Sequence, residues 1–326
     1  MIPAEAGIAI GAAATLDRID VTGVEQGIAA TSHPLMALVT ELSEAAGEPH
    51  GGWVHWGATT QNITQTGDVL VLREAHRILL GLLARVLAAA GELARRSADM
   101  AAAGRTHGQQ AVPVTFGFKV AAWIDELARH AQRLRGAEDR VFLAMMGGAV
   151  GNFASLGPIG PAVQAGVAAR LGLTPMAVPS RASGDGFAEY VCTLALLAGT
   201  GGRIAAEVYE LMKAGLELDE GRMRANLDLT GGLISSEAVM LALGRNLGRQ
   251  TAHEIVYQAA RAAGPGLSFA QALQRDPRVT KYLSAAELKA LLDPATHTGL
   301  SADLARTAAD RATELAAKLA RAAGPG

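Results

Sequence analysis

The segment Gly104-Arg105-Thr106-His107-Gly108-Gln109-Gln110-Ala111-Val112-Pro113-Val114-Thr115-Phe116-Gly117 is polar and lies between two of the longest apolar-periodic segments of the chain. Pro113 followed by Thr115 is typical of a helix start, so we predict a polar loop that ends in a helix. The segment Trp53-Val54-His55-Trp56-Gly57-Ala58-Thr59-Thr60-Gln61-Asn62 has a similar composition and also precedes a long helix. Two histidine-bearing polar loops at helix ends indicate chemistry held on a helical scaffold.

The composition predicts an all-α protein of one to three domains. The 326 residues are 50% hydrophobic, which is enough for a large core, and aromatic residues make up only 4%, so Ala and Leu fill most apolar positions. The net charge of -2 provides no basic stripe and argues against a nucleic-acid partner. The single cysteine, Cys192, favours a reducing compartment. Without a signal segment or an uninterrupted apolar span, we expect a cytoplasmic protein with no membrane partner.

Helical periodicity predicts three long helices. The first runs from about Thr66 to Ala98 and would be roughly 50 Å long at 1.5 Å per residue, a length that favours an elongated bundle. The second runs from Thr115 to about Met145, and the third from Phe187 to Met212, broken only at Gly199–Gly202. The predicted core residues of the first helix are Val69, Leu72, Ile78 or Leu79, Leu82, Leu83, Val86, Leu87 and Leu93. Those of the second are Phe116, Val120, Trp123, Ile124, Leu127, Leu134 and Val141.

His107 is the strongest candidate for chemistry. Arg105, Thr106, Gln109 and Gln110 surround it in sequence, and Gln or Thr side chains suit a carboxylate ligand. A histidine there can act as general acid or base near neutral pH. The alternative is a structural loop whose polar side chains cap the helix that starts at Thr115.

His55 presents a similar choice. Thr59, Thr60, Gln61 and Asn62 offer neutral hydrogen-bond donors at a helix start, which is a ready site for an anion. The alternative is an ordinary Asx or Ser/Thr cap at a tight turn.

The remaining polar motifs are weaker. Gly147–Asn152 lacks the strand-to-helix setting of a phosphate loop. Arg181 with Asp185 is either a carboxylate clamp or a surface pair, and Ser235-Ser236-Glu237 reads as a helix N-cap with an acidic first turn. No His, Cys, Asp and Glu cluster has metal-ligand spacing, so we expect no metal and no cofactor.

Taken together, several of these segments resemble the fumarase/aspartase superfamily, in its adenylosuccinate lyase and 3-carboxy-cis,cis-muconate cycloisomerase branch. The resemblance rests on His55–Thr60, Gly104–Pro113, Gly147-Gly148-Ala149, Asn226–Glu237 and Leu292-Asp293-Pro294, and it extends over nearly the whole chain. It implies a bundle of long helices that forms a homotetramer, with each active site built from loops of three subunits.

The resemblance also implies a chemistry, β-elimination from a small dicarboxylate. His107 would be the acid that protonates the leaving group, and His55 an assisting acid or a substrate-binding group. The groups implied to bind substrate are Thr59, Thr60, Gln61, Arg105, Thr106, Gln109, Arg181 and Ser236. Because the C–H bond of a succinyl group is very weakly acidic, donors aimed at the developing charge must carry much of the catalysis.

Two departures from the family pattern are visible. The family's general base is a serine in a mobile Gly-Ser-Ser loop after the third long helix, but here Met212 is followed by Lys213-Ala214-Gly215 and Leu216. The resemblance therefore implies that this loop and the helices after it are absent, that the start before Pro3 is clipped, and that the chain as written cannot turn over. The second departure is Asn62 in place of Asp and Gln110 in place of a second His, which argues against a purine substrate.

These observations predict three helical regions and leave three functions open. The regions are residues 1–50, a central bundle over residues 51–215 that is shortened after Met212, and residues 216–326. The first function is a lyase that releases fumarate or a fumarate-like acid from an N-substituted succinate. The second is a 3-carboxy-cis,cis-muconate cycloisomerase, and the third is a non-catalytic helical oligomer.

Overall fold

Helices account for most of the chain, as the composition predicts. The computed structural model describes residues 2–33, 35–180, 182–213 and 219–324. Within these ranges the α-helices are α1 Ala4–Ala13, α2 Val21–Thr31, α3 Met36–Ala46, α4 Thr60–Arg96, α5 Phe116–Val141, α6 Gly160–Leu171, α7 Asp185–Lys213, α8 Glu220–Asp228, α9 Ser236–Leu247, α10 Arg249–Ala262, α11 Phe269–Arg275, α12 Pro277–Thr280, α13 Ala285–Leu291 and α14 Ser301–Ala323.

Helix α5 follows the predicted pattern throughout. All seven of its predicted core residues are buried: Phe116, Val120, Trp123, Ile124, Leu127, Leu134 and Val141. Their 3.6-residue spacing alternates with charged positions, so one stripe faces the protein and the rest faces water. Thr115 caps this helix, because its hydroxyl oxygen accepts the backbone N–H of Phe118 at 3.2 Å.

Helix α4 corrects part of the core prediction. Val69, Leu83 and Leu87 are buried as predicted, but Leu82 and Val86 are about half exposed. Apolar residues occur around most of this Ala/Leu-rich helix, so periodicity alone does not say which stripe meets a partner. The helix also begins at Thr60, six residues before the predicted start.

Helix α7 is continuous through Gly199–Gly202, so the predicted break there is wrong. Each glycine in a helix interior costs only about 1 kcal/mol, which the flanking helix formers can offset. The segment Asp185–Met212 is long and apolar enough to cross a membrane by length and composition, and little of it is buried. A single helix of this kind is weak evidence for a membrane-spanning segment, because core helices of soluble proteins have the same length and composition.

A β-hairpin replaces part of the predicted polar loop. Strands β1 (Ala101–Thr106) and β2 (Gln109–Thr115) pair antiparallel, from Ala101 opposite Thr115 to Thr106 opposite Gln109. Two further strands of two residues each, β3 (Leu143–Ala144) and β4 (Thr174–Pro175), pair in parallel. The β-branched side chains of Val112, Val114 and Thr115 favour the extended conformation.

The chain forms two compact units. One contains Met1–Arg77 and Arg133–Leu194, and the other contains Ile78–Gln132 and Ala195–Gly326. The second unit holds an apolar cluster made by α9, α10, α11 and α13, including Leu243, Ile255 and Phe269. The predicted boundary near residue 50 stays a prediction, and the boundary at residue 215 lies outside the described residues.

Candidate active site

His107 is at the tip of the β1–β2 hairpin. His107 and Gly108 form its two-residue turn, with φ angles of 53° and 76°. Positive φ at both central positions is the signature of a type I′ turn, whose twist matches that of the two strands. This conformation is uncommon for residues other than Gly, with Asn, Asp and His enriched among the exceptions, and residues in it are frequent at functional sites. The turn leaves the imidazole exposed to solvent.

The two strands of the hairpin lie close together at Gly104. A Cβ atom added at Gly104 would lie 2.7 Å from the carbonyl oxygen of Val112, so only glycine fits between the two strands there. The register is irregular between Ala103 and Arg105, which is typical of a β-bulge. Arg105, Thr106 and Gln109 are exposed on either side of the tip, next to His107.

In the same unit, β1 contacts α8 and β2 contacts the 3-10 turn Leu233–Ser235 that precedes α9. Gln110 donates from Nε2 to the carbonyl oxygen of Asn226 at 3.0 Å. Ser236, the first residue of α9, is half-buried directly after this turn. The structure thus brings the neighbourhood of Ser236 to the hairpin, and a sequence separation of more than 100 residues hides this contact.

A cavity of about 910 Å³ lies beside the hairpin in this unit. Arg105 and Gln110 line it together with Lys119 of α5 and Glu207 of α7, which form an ion pair. Leu211 and Met223 also line it, and residues 214–218, which lie between them in the sequence, are outside the described part of the chain. The sequence does not identify Lys119 and Glu207 as site residues, because single charged residues within long helices belong to no recognisable motif.

His55 lies in the other unit, in the loop that enters α4. It follows the 3-10 turn Gly51–Trp53 and has a φ of 64°, and Gly57 has a φ of 75°. The imidazole is half-buried, and desolvation lowers its pKa from the ordinary value. The lowered pKa favours a neutral imidazole at pH 7, able to donate from one ring nitrogen and accept at the other.

The predicted anion-binding residues begin α4. Thr59, Thr60 and Gln61 are half-buried next to the first turn of this 37-residue helix. Asn62 is 1% exposed, and its Oδ1 atom accepts the backbone N–H of Thr59 at 3.1 Å. Asn62 therefore acts as a cap at the start of α4, as the structural interpretation of this loop predicts, and the anion site stays a prediction.

Three further predictions concern the motif at Ser235, the pair of Arg181 with Asp185, and metal binding. Ser235 occupies the N-cap position of α9 and Glu237 its first turn, as predicted, but no side-chain hydrogen bond caps the helix. The buried hydroxyl of Ser235 instead faces the carbonyl oxygen of Leu292 at 3.5 Å. Arg181 lies outside the described residues. Among the residues that the structure describes, no group of three or more His, Cys, Asp and Glu side chains forms a metal site.

Comparison with known proteins places the chain in a family. A profile described as "Lyase" matches residues 14–225, and one described as "Adenylosuccinate lyase C-terminus" matches residues 232–308. The chain therefore belongs to the fumarase/aspartase superfamily, in the adenylosuccinate lyase and 3-carboxy-cis,cis-muconate cycloisomerase branch. Members of this superfamily are lyases.

Individual relatives have different activities. N-acetyl-S-(2-succino)cysteine lyase of Dickeya dadantii is 29% identical, over 92% of this chain and 85% of the relative. 3-Carboxy-cis,cis-muconate cycloisomerase of Pseudomonas aeruginosa is 30% identical, over 92% of this chain and 85% of the relative. The crystal structure of fumarate lyase from Mesorhizobium sp. BNC1 has a TM-score of 0.86 at 30% identity and covers 95% of this chain and 90% of that one.

The alignment with the Dickeya protein also contains many gap positions. In the comparison with the Dickeya protein, 92% of this chain, about 300 residues, spreads over 386 positions. Roughly 86 positions of that alignment are therefore gaps in this chain.

Proposed function

We propose that this chain belongs to a lyase that performs β-elimination on an N-substituted succinate and releases fumarate or a fumarate-like acid. The observation that carries the proposal is the conformation of His107, an exposed imidazole held at positive φ on a hairpin tip between Arg105, Thr106 and Gln109. A general acid needs access to its substrate, a fixed position and neighbours that bind anions, and this arrangement supplies all three.

In the proposed reaction, a base removes a proton from the carbon next to one carboxylate. The electron pair of that C–H bond forms the C=C bond of the product, and the C–N bond breaks. His107 in its protonated form donates a proton to the departing nitrogen. Thr59, Thr60, Gln61, Arg105, Thr106, Gln109, Arg181 and Ser236 are proposed to bind the carboxylates.

His55 is proposed as an assisting group rather than the main acid. Desolvation lowers its pKa, so the neutral imidazole is favoured at pH 7 and acts as a hydrogen-bond donor or acceptor toward the substrate. Its position beside Thr59 and Thr60 suits binding of the same dicarboxylate.

The proposed reaction also needs a general base. The family resemblance implies a serine loop after α7, and the printed sequence has none between Met212 and Leu216. The roughly 86 gap positions in the alignment with the Dickeya protein support a missing internal segment. A chain without this loop would bind its ligand without turning it over.

Two other functions each have one supporting observation. The Pseudomonas aeruginosa relative favours cycloisomerisation of a carboxylated muconate. The absent serine loop favours a non-catalytic helical oligomer. For all three functions we propose a cytoplasmic protein without nucleic-acid or membrane partners. We also propose a homotetramer, because apolar side chains such as Leu196 and Met212 of α7 remain exposed in the single chain.

The test combines intact mass with activity on one preparation. A polypeptide of 33.5 kDa is expected to release no fumarate from succinyl-amines above the rate without protein, as judged by ultraviolet absorbance. A larger polypeptide is expected to release it, and His107→Ala should lower the rate at least about 100-fold. An active larger protein that tolerates this substitution would refute the role of His107, and turnover of 3-carboxy-cis,cis-muconate alone would favour the cycloisomerase.

A further inference from the structure

A second cavity, of about 370 Å³, lies in the unit that contains His55. Its walls come from α1, α3, the loop of Trp53–Ala58, Ile63 of α4 and Met146. Among its described lining residues, His55 is the one with an ionisable side chain. Ligand sites are typically concave, mostly apolar and oriented by few polar groups, and a volume of roughly 300–1,000 Å³ is usual.

The cavity adjoins the groups proposed to bind carboxylates. His55, Ala58 and Ile63 line it, and Thr59 and Thr60 lie between Ala58 and Ile63 in the chain. A ligand whose carboxylates reach the start of α4 can therefore place an attached apolar group in the cavity without crossing a long gap. No Lys or Arg is among the described lining residues, so nothing there would neutralise a phosphate.

We propose that this cavity binds the leaving group of the substrate and selects an uncharged, apolar substituent larger than a methyl group. This inference rests on the proposed function and adds the substrate class: succinates whose amine carries an alkyl or aryl group. Trp53 and Trp56 contribute the largest apolar surfaces, with ring centroids 5.1 Å apart and planes inclined by 54°. Such rings bury a large apolar area at a low cost in conformational entropy.

The tryptophans also supply a readout that does not depend on turnover. The sequence has three tryptophans, and the third, Trp123, is buried in the other unit. In a Trp123→Phe background, fluorescence reports on Trp53 and Trp56 alone. The probes are N-cyclohexyl-aspartate and N-methyl-aspartate, which share the succinyl amine and differ in the size of the apolar group.

We expect N-cyclohexyl-aspartate to shift the emission to the blue and to bind at least tenfold more tightly than N-methyl-aspartate. Cyclohexanol, which lacks the succinyl group, should cause the same shift at higher concentration. Equal affinities of the two aspartates, or no shift with any probe, would overturn the inference.

Gly7 and Gly11 of α1 give a matched pair of variants. A Cβ atom added at either position meets nothing within 4 Å, but only Gly7 lines the cavity. Gly7→Leu should reduce the preference for the ring to less than threefold, and Gly11→Leu should preserve it. Equal effects of the two changes would contradict the assignment. Should Gly7→Leu not fold, Leu38→Lys places a charge on the cavity wall at a residue that is 37% exposed, and it should weaken ring binding tenfold.

Fumarate release, followed in parallel, separates this inference from the proposed function. In a polypeptide larger than 33.5 kDa, ring-dependent binding without release would support the apolar site and count against the lyase activity. Release without any preference for the ring would support the lyase and refute the apolar site.

Discussion

The side-chain oxygen Oδ1 of Asn62 accepts the backbone N–H of Gly148 at 3.1 Å. The same oxygen accepts the N–H of Thr59, so one amide joins the first turn of α4 to the glycine-rich segment after β3. The Nδ2 atom of Asn62 is buried, with no hydrogen-bond partner among the described residues. Gly57 reinforces the junction, because a Cβ atom there would lie 2.5 Å from Leu156.

We predict that Asn62→Ala lowers the free energy of unfolding by about 2 kcal/mol, because two backbone donors lose their acceptor. Asn62→Asp should lower the free energy of unfolding less than Asn62→Ala. A carboxylate oxygen still accepts both N–H groups, the carboxylate has no unsatisfied donor, and its charge lies at a helix N-terminus. Urea unfolding at pH 7 measures both changes. Gln61→Ala serves as the control and should stay within about 0.5 kcal/mol. An unchanged stability of Asn62→Ala would show that this junction is not important.

A buried network in the same unit gives a prediction at alkaline pH. Tyr190 and His76 are hydrogen bonded at 2.9 Å between the hydroxyl and Nδ1, and Glu138 meets Nε2 of the imidazole at 3.0 Å. Burial raises the pKa of Tyr190 to about 12. The folded state thus holds the phenol proton more tightly than the unfolded state, whose pKa is about 10, and stability should fall as the pH rises above 10.

Ultraviolet titration of the folded protein should therefore show a tyrosine component near pH 12 that disappears in Tyr190→Phe. The same change should cost about 1–2 kcal/mol at pH 7, because the ring nitrogen of His76 loses its partner. Tyr257→Phe, at a residue that is 49% exposed, is the control and should leave the component in place. A component that survives in Tyr190→Phe would contradict the assignment.

The hairpin that carries His107 depends on Gly104. We predict that Gly104→Ala destabilises the protein by about 1–3 kcal/mol, because the new methyl group would press on the carbonyl oxygen of Val112. Gly67→Ala, inside α4 where a Cβ atom meets nothing within 4 Å, should instead stabilise by about 0.5–1 kcal/mol. Thermal unfolding distinguishes the two, and equal shifts in Tm would refute the steric argument.

Exposed apolar side chains on α7 lead to a prediction about assembly. Leu196 and Met212 are 54% and 70% exposed in the single chain. If subunits cover them in a homotetramer, light scattering should give four times 33.5 kDa, and Leu196→Lys with Met212→Lys should lower that mass. Val178→Lys, in a loop and 75% exposed, is the control. A monomer at micromolar concentration, or a protein that sediments with membranes, would contradict the tetramer.

Much of the helical architecture follows from the sequence alone. Local residues set the limits of the helix Gly160–Leu171, since Pro161 suits its first turn and Gly172 adopts the left-handed conformation that ends it. Ser284 and Glu287 have the spacing of a capping box, and both of its hydrogen bonds are present. In α5, charged residues leave a single apolar stripe, so periodicity also identified its core. These features depend on residues within one or two turns of each other.

Tertiary structure alone decided the shape of the site. Ala101–Ala103 has helical composition, yet it forms a strand because β2 supplies its hydrogen bonds across the His107–Gly108 turn. Elements distant in sequence decide which apolar stripe of α4 is covered. Leu82 and Val86 are exposed because no part of the described chain covers them. The contact of Gln110 with Asn226 and the cavity beside His55 likewise join segments that no local pattern connects. Local propensity is a short-range property, and an active site is a set of long-range contacts.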